Sequence, residues 1–189
     1  MVVDQNFLKV KRTLVTIFLF TLFINYSFAD NLRFKKIVNL KGPWGSTFIN
    51  DTELLITEKS GEIKLIDLNT KKISSLNHNL NYLEHGQGGL LDILYKDDFV
   101  YVSYTENRGN WKTSTSIAKS KFNEKDLIFK NIFQANPPID SGYHFGSRLA
   151  IKDGYLFASA GERGQGMIAQ DPTKPVSYTH LTLPTTGVV

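Results

Sequence analysis

Between residues 40 and 171 the chain is a succession of short runs in which apolar and polar positions alternate, each run closed by Gly, Asn or Asp. Residues 53–57 (ELLIT) and 62–68 (EIKLIDL), joined by 58–61 (EKSG), read as two strands of a hairpin. Comparable runs occur at 90–95 (LLDILY), 99–104 (FVYVSY), 113–119 (TSTSIAK), 128–133 (IFKNIF), 149–151 and 155–160 (YLFASA). No segment sustains a 3.6-residue apolar period. Strands at this spacing without intervening helices predict an all-β protein: a sandwich, a barrel or a propeller.

Two stretches share one plan, PWGSTFINDTELLITEKSGEIKLID and HFGSRLAIKDGYLFASAGERG: an apolar strand, a polar turn at Asn50-Asp51 or Lys152-Asp153-Gly154, then a second strand rich in Leu, Tyr and Phe. Each reads as part of one blade whose faces need neighbouring blades to cover them. The repeat is degenerate, and regular strand spacing by itself leaves a sandwich open. Residues 30–174 would make roughly three blades, where a closed propeller has about four to eight; closure is therefore expected to need further sequence.

The two ends differ from this pattern. Lys9, Lys11 and Arg12 precede an apolar stretch at 13–24 and the small-x-small sequence Ser27-Phe28-Ala29, which predicts a secretory signal peptide over 1–29 and a periplasmic or secreted protein. A retained anchor is the alternative, although the apolar core falls short of the roughly 20 residues a membrane span needs; once the signal is cleaved, no membrane association is expected. Residues 175–189 lose all charge and become threonine-rich. They read as a non-native tail resembling a translated sequencing adapter, the plainer alternative being a flexible polar terminus.

Composition narrows the function classes. The net charge is +4, but residues 30–189 hold 19 basic against 17 acidic residues, a net of +2, which gives no electrostatic basis for binding nucleic acid. The chain has no cysteine, so disulfides and thiolate metal sites are excluded. The glycine-rich stretches lack a Gly-Lys-Ser/Thr sequence and a following helix start, which argues against a phosphate loop.

Three polar clusters remain. The first is Pro43-Trp44-Gly45 followed by Leu55-Ile56-Thr57-Glu58 and Ser60-Gly61. The second is Gly86-Gln87-Gly88-Gly89-Leu90-Leu91-Asp92. The third runs from Ser141-Gly142-Tyr143-His144-Phe145-Gly146-Ser147-Arg148 to Gly161-Glu162-Arg163-Gly164-Gln165 and Ala169-Gln170-Asp171. His144 has glycines close on both sides, where a ring can project from a loop and take a proton near neutral pH; a loop histidine that only makes a hydrogen bond is the plainer reading. Gln87 offers an amide that can donate to and accept from a hydroxylated ligand, or simply close a turn. Arg148 lies an even four residues beyond His144, so an extended strand between them would send both side chains from one face. Its guanidinium suits a carboxylate or quinone oxygen, or a salt bridge. Trp44 and Trp111 are expected to pack between blades, because large aromatics are usually buried. His78 and His85 lack partners at metal-ligand spacing.

In this order and spacing the clusters resemble those of the soluble PQQ-dependent aldose sugar dehydrogenases, the glucose/sorbosone dehydrogenase family of six-bladed β-propellers, over almost all of residues 40–171. The resemblance implies that this chain holds about the first three blades. It further implies oxidation of an aldose at C1, with His144 as general base and hydride passing to pyrroloquinoline quinone (PQQ). Gln87 would line the substrate and quinone site, with Arg148 and Arg163 toward the cofactor. Glu162 stands where the family often has aspartate and would orient His144. No metal ligands are expected within this chain; Ca²⁺ and the further basic residues that hold PQQ would come from later blades. The electron acceptor is left unassigned. Two other functions stay open: a non-catalytic propeller binding a carbohydrate or protein, since fold does not fix function, and a calcium-dependent propeller lactonase or phosphotriesterase, which would need Asn, Asp and Glu converging on a central metal.

Overall fold

The computed structural model describes residues 33–167 and the strand at 181–184; the predicted signal peptide and most of the threonine-rich stretch lie outside the described residues. The chain divides into Met1–Lys36 and Ile37–Val189, and every strand belongs to the second unit. The first sheet is a meander of β1 (Pro43–Phe48), β2 (Glu53–Glu58), β3 (Glu62–Asp67) and β4 (Ile73–His78). The second holds β5 (Leu90–Lys96), β6 (Phe99–Asn107), β7 (Thr113–Lys121) and β9 (Lys130–Gln134), while β8 (Asp126–Leu127) crosses back to pair in parallel with β4. The third is β10 (Gly146–Lys152), β11 (Tyr155–Ala160) and β12 (Leu181–Pro184). All pairings but β4 with β8 are antiparallel.

Stacking of the sheets follows from which faces are apolar. Along β6 the alternation sorts side chains to two cores. Val100, Val102 and Tyr104 join Leu55, Ile63, Leu65 and Leu76 of the first sheet. Tyr101, one residue out of phase, joins Leu149, Leu156 and Ala158 of the third. The second sheet is therefore covered on both faces, as a blade between two blades must be, and residues Val100 to Glu106 are buried without interruption.

The expected strands are present; β8 and β12 fall outside the expected runs, β12 within the threonine-rich stretch and paired with β11, and two further differences have a local cause. The run at 128–133 is split: Asn79 accepts from Phe129 N (2.8 Å) and donates to Phe129 O (3.1 Å), pinning the chain where it leaves β8 and before it enters β9. Strand β4 was not among the expected runs, because only Leu76 of its six residues is buried and its sequence, ISSLNH, carries little apolar signal.

In each blade one hydroxyl meets the inner strand, and in the first two it also joins that sheet to the next. The inner strands β1, β5 and β10 each slip register in their first half, freeing a main-chain N–H from the ladder. In the first blade Gly45 N donates to Thr57 Oγ1 (3.0 Å), and that hydroxyl donates to Leu91 O of β5 (2.5 Å). In the second, Asp92 N donates to Ser103 Oγ (3.0 Å), which donates to Ser147 O of β10 (2.7 Å). In the third, Arg148 N donates to Ser159 Oγ (3.0 Å). Thr57 and Ser103 have no exposed surface. Removing such a hydroxyl orphans a buried N–H and a buried C=O, each at about 1–3 kcal/mol. Thr57→Val in the full-length protein is therefore expected to lower the urea midpoint, while Thr57→Ser keeps it near the parent value; an unchanged midpoint for the valine variant would remove this hydroxyl from the forces joining the blades.

Candidate functional site

In an antiparallel meander the start of the first strand, the end of the second and the start of the third lie at one edge. That edge gathers the loop before β5 with Gln87, the turn before β7 with Trp111, the loop before β10 with His144, and the residues after β11 with Glu162 and Arg163. Gln87 and His144, 57 residues apart, are joined directly: Gln87 Oε1 accepts from His144 N (2.9 Å) and Gln87 N donates to Gly142 O (2.7 Å). The approach is close enough that a Cβ on Gly86, whose φ is +57°, would collide with the Gly142 carbonyl.

His144 has φ +50°, a conformation that costs a non-glycine residue of order 1 kcal/mol or more. It is held there by the bond from Gln87 and by Arg163 N, which donates to His144 O (3.3 Å). Its side chain is 55% exposed, and Nδ1 is hydrogen-bonded to Glu162 Oε1. A carboxylate accepts only, so Nδ1 carries the hydrogen and the Nε2 lone pair of the neutral ring is left free. The hydrogen bond from His144, then that from Gly164 N (3.0 Å to Oε2), holds the Glu162 carboxyl below its ordinary pKa.

The two arginines differ. Arg148 is open, its side chain 77% exposed, with Nη1 donating to Asp92 Oδ1 (3.2 Å). Asp92 is itself buried and fixed, its Oδ2 accepting from Leu149 N (2.8 Å). The even spacing from His144 does not act as expected, because positive φ at His144, Gly146 and Ser147 and the register slip between Gly146 and Leu149 break the extended strand. Arg163, expected toward the cofactor, is 3% exposed. Its guanidinium lies 3.8 Å over the Phe145 ring and donates to Tyr143 O (3.1 Å), Thr113 O (3.2 Å), Thr113 Oγ1 (2.6 Å) and Ser141 O. Burial pulls its pKa down to about 10, offset in part by the Glu162 carboxylate. Arg163 thus holds the His144 loop from beneath rather than facing a ligand.

Trp44 and Trp111 are 43% and 65% exposed, not packed between blades as their size predicts: one opens β1 and the other sits in the β6–β7 turn, both at the open edge. His78 has a structural place, with Nε2 2.7 Å from Gly61 O and Nδ1 accepting from Leu80 N (3.3 Å). Glu106 is buried but saturated by Ser116 Oγ (2.6 Å), Asn131 Nδ2 (3.0 Å) and Gln134 Nε2 (2.7 Å). Among the described residues, no three His, Asp or Glu side chains converge as metal ligands, and no helix is long and apolar enough to cross a membrane.

A profile of the family described as Glucose / Sorbosone dehydrogenase matches residues 40–183, most of the chain. The chain belongs to this family. A curated relative, the aldose sugar dehydrogenase YliI of Escherichia coli K12, is 32% identical over 145 residues, covering 71% of this chain and 39% of the relative. Among solved structures, a glucose dehydrogenase superposes with TM-score 0.72 at 31% identity over 78% of this chain and 46% of that one. The apo-form soluble aldose sugar dehydrogenase of E. coli gives 0.72 at 30% identity over 77% and 45%. The PQQ-bound aldose sugar dehydrogenase of Streptomyces coelicolor shares the fold, with TM-score 0.68 at 22% identity over 79% and 47%. The chain thus spans less than half the length of these proteins, and its three sheets are blades of the propeller they form.

Within this glucose/sorbosone dehydrogenase chain, Asp92 and the Thr57–Ser103–Ser159 series were missed as positioning residues. The signal was present: a four-residue run ending in a hydroxyl recurs as LLIT, VYVS and LFAS. Because the folded Glu162 pKa is lowered, its pairing contributes stability above the ordinary carboxylate range and loses it as pH falls through the folded value. A ¹³C carboxyl titration of the full-length protein is expected to place the Glu162 midpoint below the ordinary 4.5, and His144→Ala to raise it; a midpoint indifferent to that substitution would mean the pair does not form in solution.

Proposed function

We propose that the full-length protein carrying this chain oxidises aldoses at C1 to the lactone, with His144 as general base and PQQ as the hydride acceptor. What carries this function is the His144–Glu162 pair at the open edge, its Nε2 free and its loop fixed by Gln87 and Arg163. Support also comes from the names of the relatives, which include aldose sugar dehydrogenases and one such protein solved with PQQ bound.

The chemistry asks little movement of the residues here. The C1 hydroxyl proton passes to His144 Nε2, while Glu162 holds the Nδ1 hydrogen and balances the imidazolium that forms. The hydrogen on C1 leaves with its electron pair, so the sugar loses two electrons and the ring carbon becomes a lactone carbonyl. PQQ, when bound, supplies the quinone that accepts that hydride.

The donor set suits such a group: PQQ is a polycarboxylate, and Arg148 presents an exposed guanidinium anchored at one nitrogen by Asp92. The Gln87 side chain, its oxygen already on His144 N, leaves its NH₂ for a ligand oxygen. Calcium would be held by residues of the remaining blades. The reading includes cleavage of residues 1–29 as an export signal and action in the periplasm or outside the cell.

The test is reduction of an artificial dye by glucose and other aldoses with full-length protein, with and without added PQQ and Ca²⁺. Activity should need both additions, and His144→Ala should lower kcat by roughly 10²–10⁴-fold. Glu162→Gln should lower it less, since the ring keeps a hydrogen-bond partner but loses its counter-charge. No turnover of any aldose by folded protein would instead favour a non-catalytic binding propeller.

A further inference from the structure

The hydroxyls that meet the inner strands are joined into something longer than single links. Each inner strand slips register across the same step: Pro43 to Ser46 in β1, Leu90 to Ile93 in β5 and Gly146 to Leu149 in β10. Aligned on that step, Trp44, Leu91 and Ser147 are equivalent, and so are Gly45, Asp92 and Arg148. The groups that β5 offers, Leu91 O and Asp92 N, belong to one peptide unit. Its carbonyl accepts from Thr57 Oγ1 (2.5 Å) and its N–H donates to Ser103 Oγ (3.0 Å). The Ser147–Arg148 peptide of β10 repeats this, its carbonyl accepting from Ser103 Oγ (2.7 Å) and its N–H donating to Ser159 Oγ (3.0 Å).

Peptides and hydroxyls therefore alternate from Gly45 N to Ser159 Oγ, crossing all three sheets, and every member passes its hydrogen toward the next blade. Hydrogen bonds aligned head to tail in this way polarise and strengthen one another. The two ends of the series have recognisable places. Ser159 makes the first of its two bonds within the described residues, and Trp44 O is the equivalent of Leu91 O and Ser147 O. Phe157, two residues before Ser159, stands where Leu55 and Tyr101 stand in the other sheets. Those two are 0% and 3% exposed against the following sheet, whereas Phe157 is half-buried and Tyr155, on the same face of β11, is 51% exposed.

We infer that this series is a hydrogen-bond relay that continues around the propeller of the full-length protein, with Ser159 Oγ donating to a main-chain carbonyl of the following sheet and Trp44 O accepting from a Ser or Thr hydroxyl of the last. The carbonyl is that of the second residue of the next inner strand, the place that Leu91 has in β5 and Ser147 in β10. The face bearing Tyr155, Phe157 and Ser159 is thus a docking surface for one occupant, the next sheet of the same chain. It is recognised by an apolar row and by one peptide carbonyl, and that carbonyl sets its register, since a shifted strand would leave the buried hydroxyl without an acceptor. The relay is independent of the reaction proposed at His144.

Full-length protein tests the relay in two ways. In its crystal structure Ser159 Oγ should lie within hydrogen-bond distance of that carbonyl, and a Ser or Thr hydroxyl should lie on Trp44 O. Either group bonded to water instead, or the Ser159 face covered by a second copy of the chain, would overturn the inference; this criterion stands whether or not any variant folds. Urea unfolding of Ser103→Ala, Ser159→Ala and the double variant then reads the coupling. Each single variant should lower the midpoint by about 0.3–0.6 M, and Ser159→Thr should stay near the parent. The double variant should shift by less than the two single shifts together, because the first deletion already interrupts the series. Additive shifts from hydroxyls in different sheets would mean separate links and sink the relay.

Discussion

The inner strand that begins each sheet has main-chain groups that the sheet cannot fully pair once its register slips, and everything in this structure depends on how those groups are satisfied. Thr57, Ser103 and Ser159 each accept from the slipped N–H of their own inner strand; the first two then donate to the carbonyl of the next inner strand. A buried hydroxyl has one donor and two acceptor sites, which is what a link between two strands in different sheets requires. Apolar packing across the same boundary is strong but does not fix register, whereas an unpaired buried N–H or C=O penalises any other alignment.

The candidate site inherits its rigidity from that boundary. Asp92 lies on β5 beside Gly45, where a Cβ would sit 2.8 Å from Asp92 Oδ1, and reaches across to Leu149 N and the Arg148 side chain. Arg163 does the same beneath the His144 loop, spending its donors on acceptors at Thr113, Ser141 and Tyr143. Buried charge is costly unless it is fully hydrogen-bonded; here the cost maintains a strained His144 in the open. The exposed groups of the candidate site and the buried groups that support them are separate residues, and the arginine adjacent to Glu162 in sequence is of the second kind.

The edge that carries the site owes its openness to topology rather than to side-chain identity. Loops entering inner strands and turns leaving second strands converge there, so Gln87, His144 and Glu162 meet although they are far apart in the chain, with Trp111 at the same edge. The glycines Gly86 and Gly142 let two of those loops touch backbone to backbone. Trp111 is exposed for the same reason: its turn projects beyond the cores of both neighbouring sheets, so the usual pull toward burial finds nothing to bury it against.

The sequence by itself determined the alternation of apolar and polar positions, and so the strands, the turns and the all-β class. Residue identities in three clusters were enough to suggest the family and to single out His144, Glu162 and Gln87, which the structure brings together. It did not reveal that Arg163 is buried, that the two tryptophans are exposed, or that His144 and Arg148 are not related by strand geometry. Arg163 is buried by partners 20 to 50 positions away, at Tyr143, Ser141 and Thr113, and the loop that turns Arg148 away from His144 is fixed by links between blades such as Ser103 with Ser147 and Asp92 with Leu149. Period and propensity act over a few residues, while burial and hydrogen-bond partnership depend on which blade stacks on which; only the folded arrangement of the sheets supplies that.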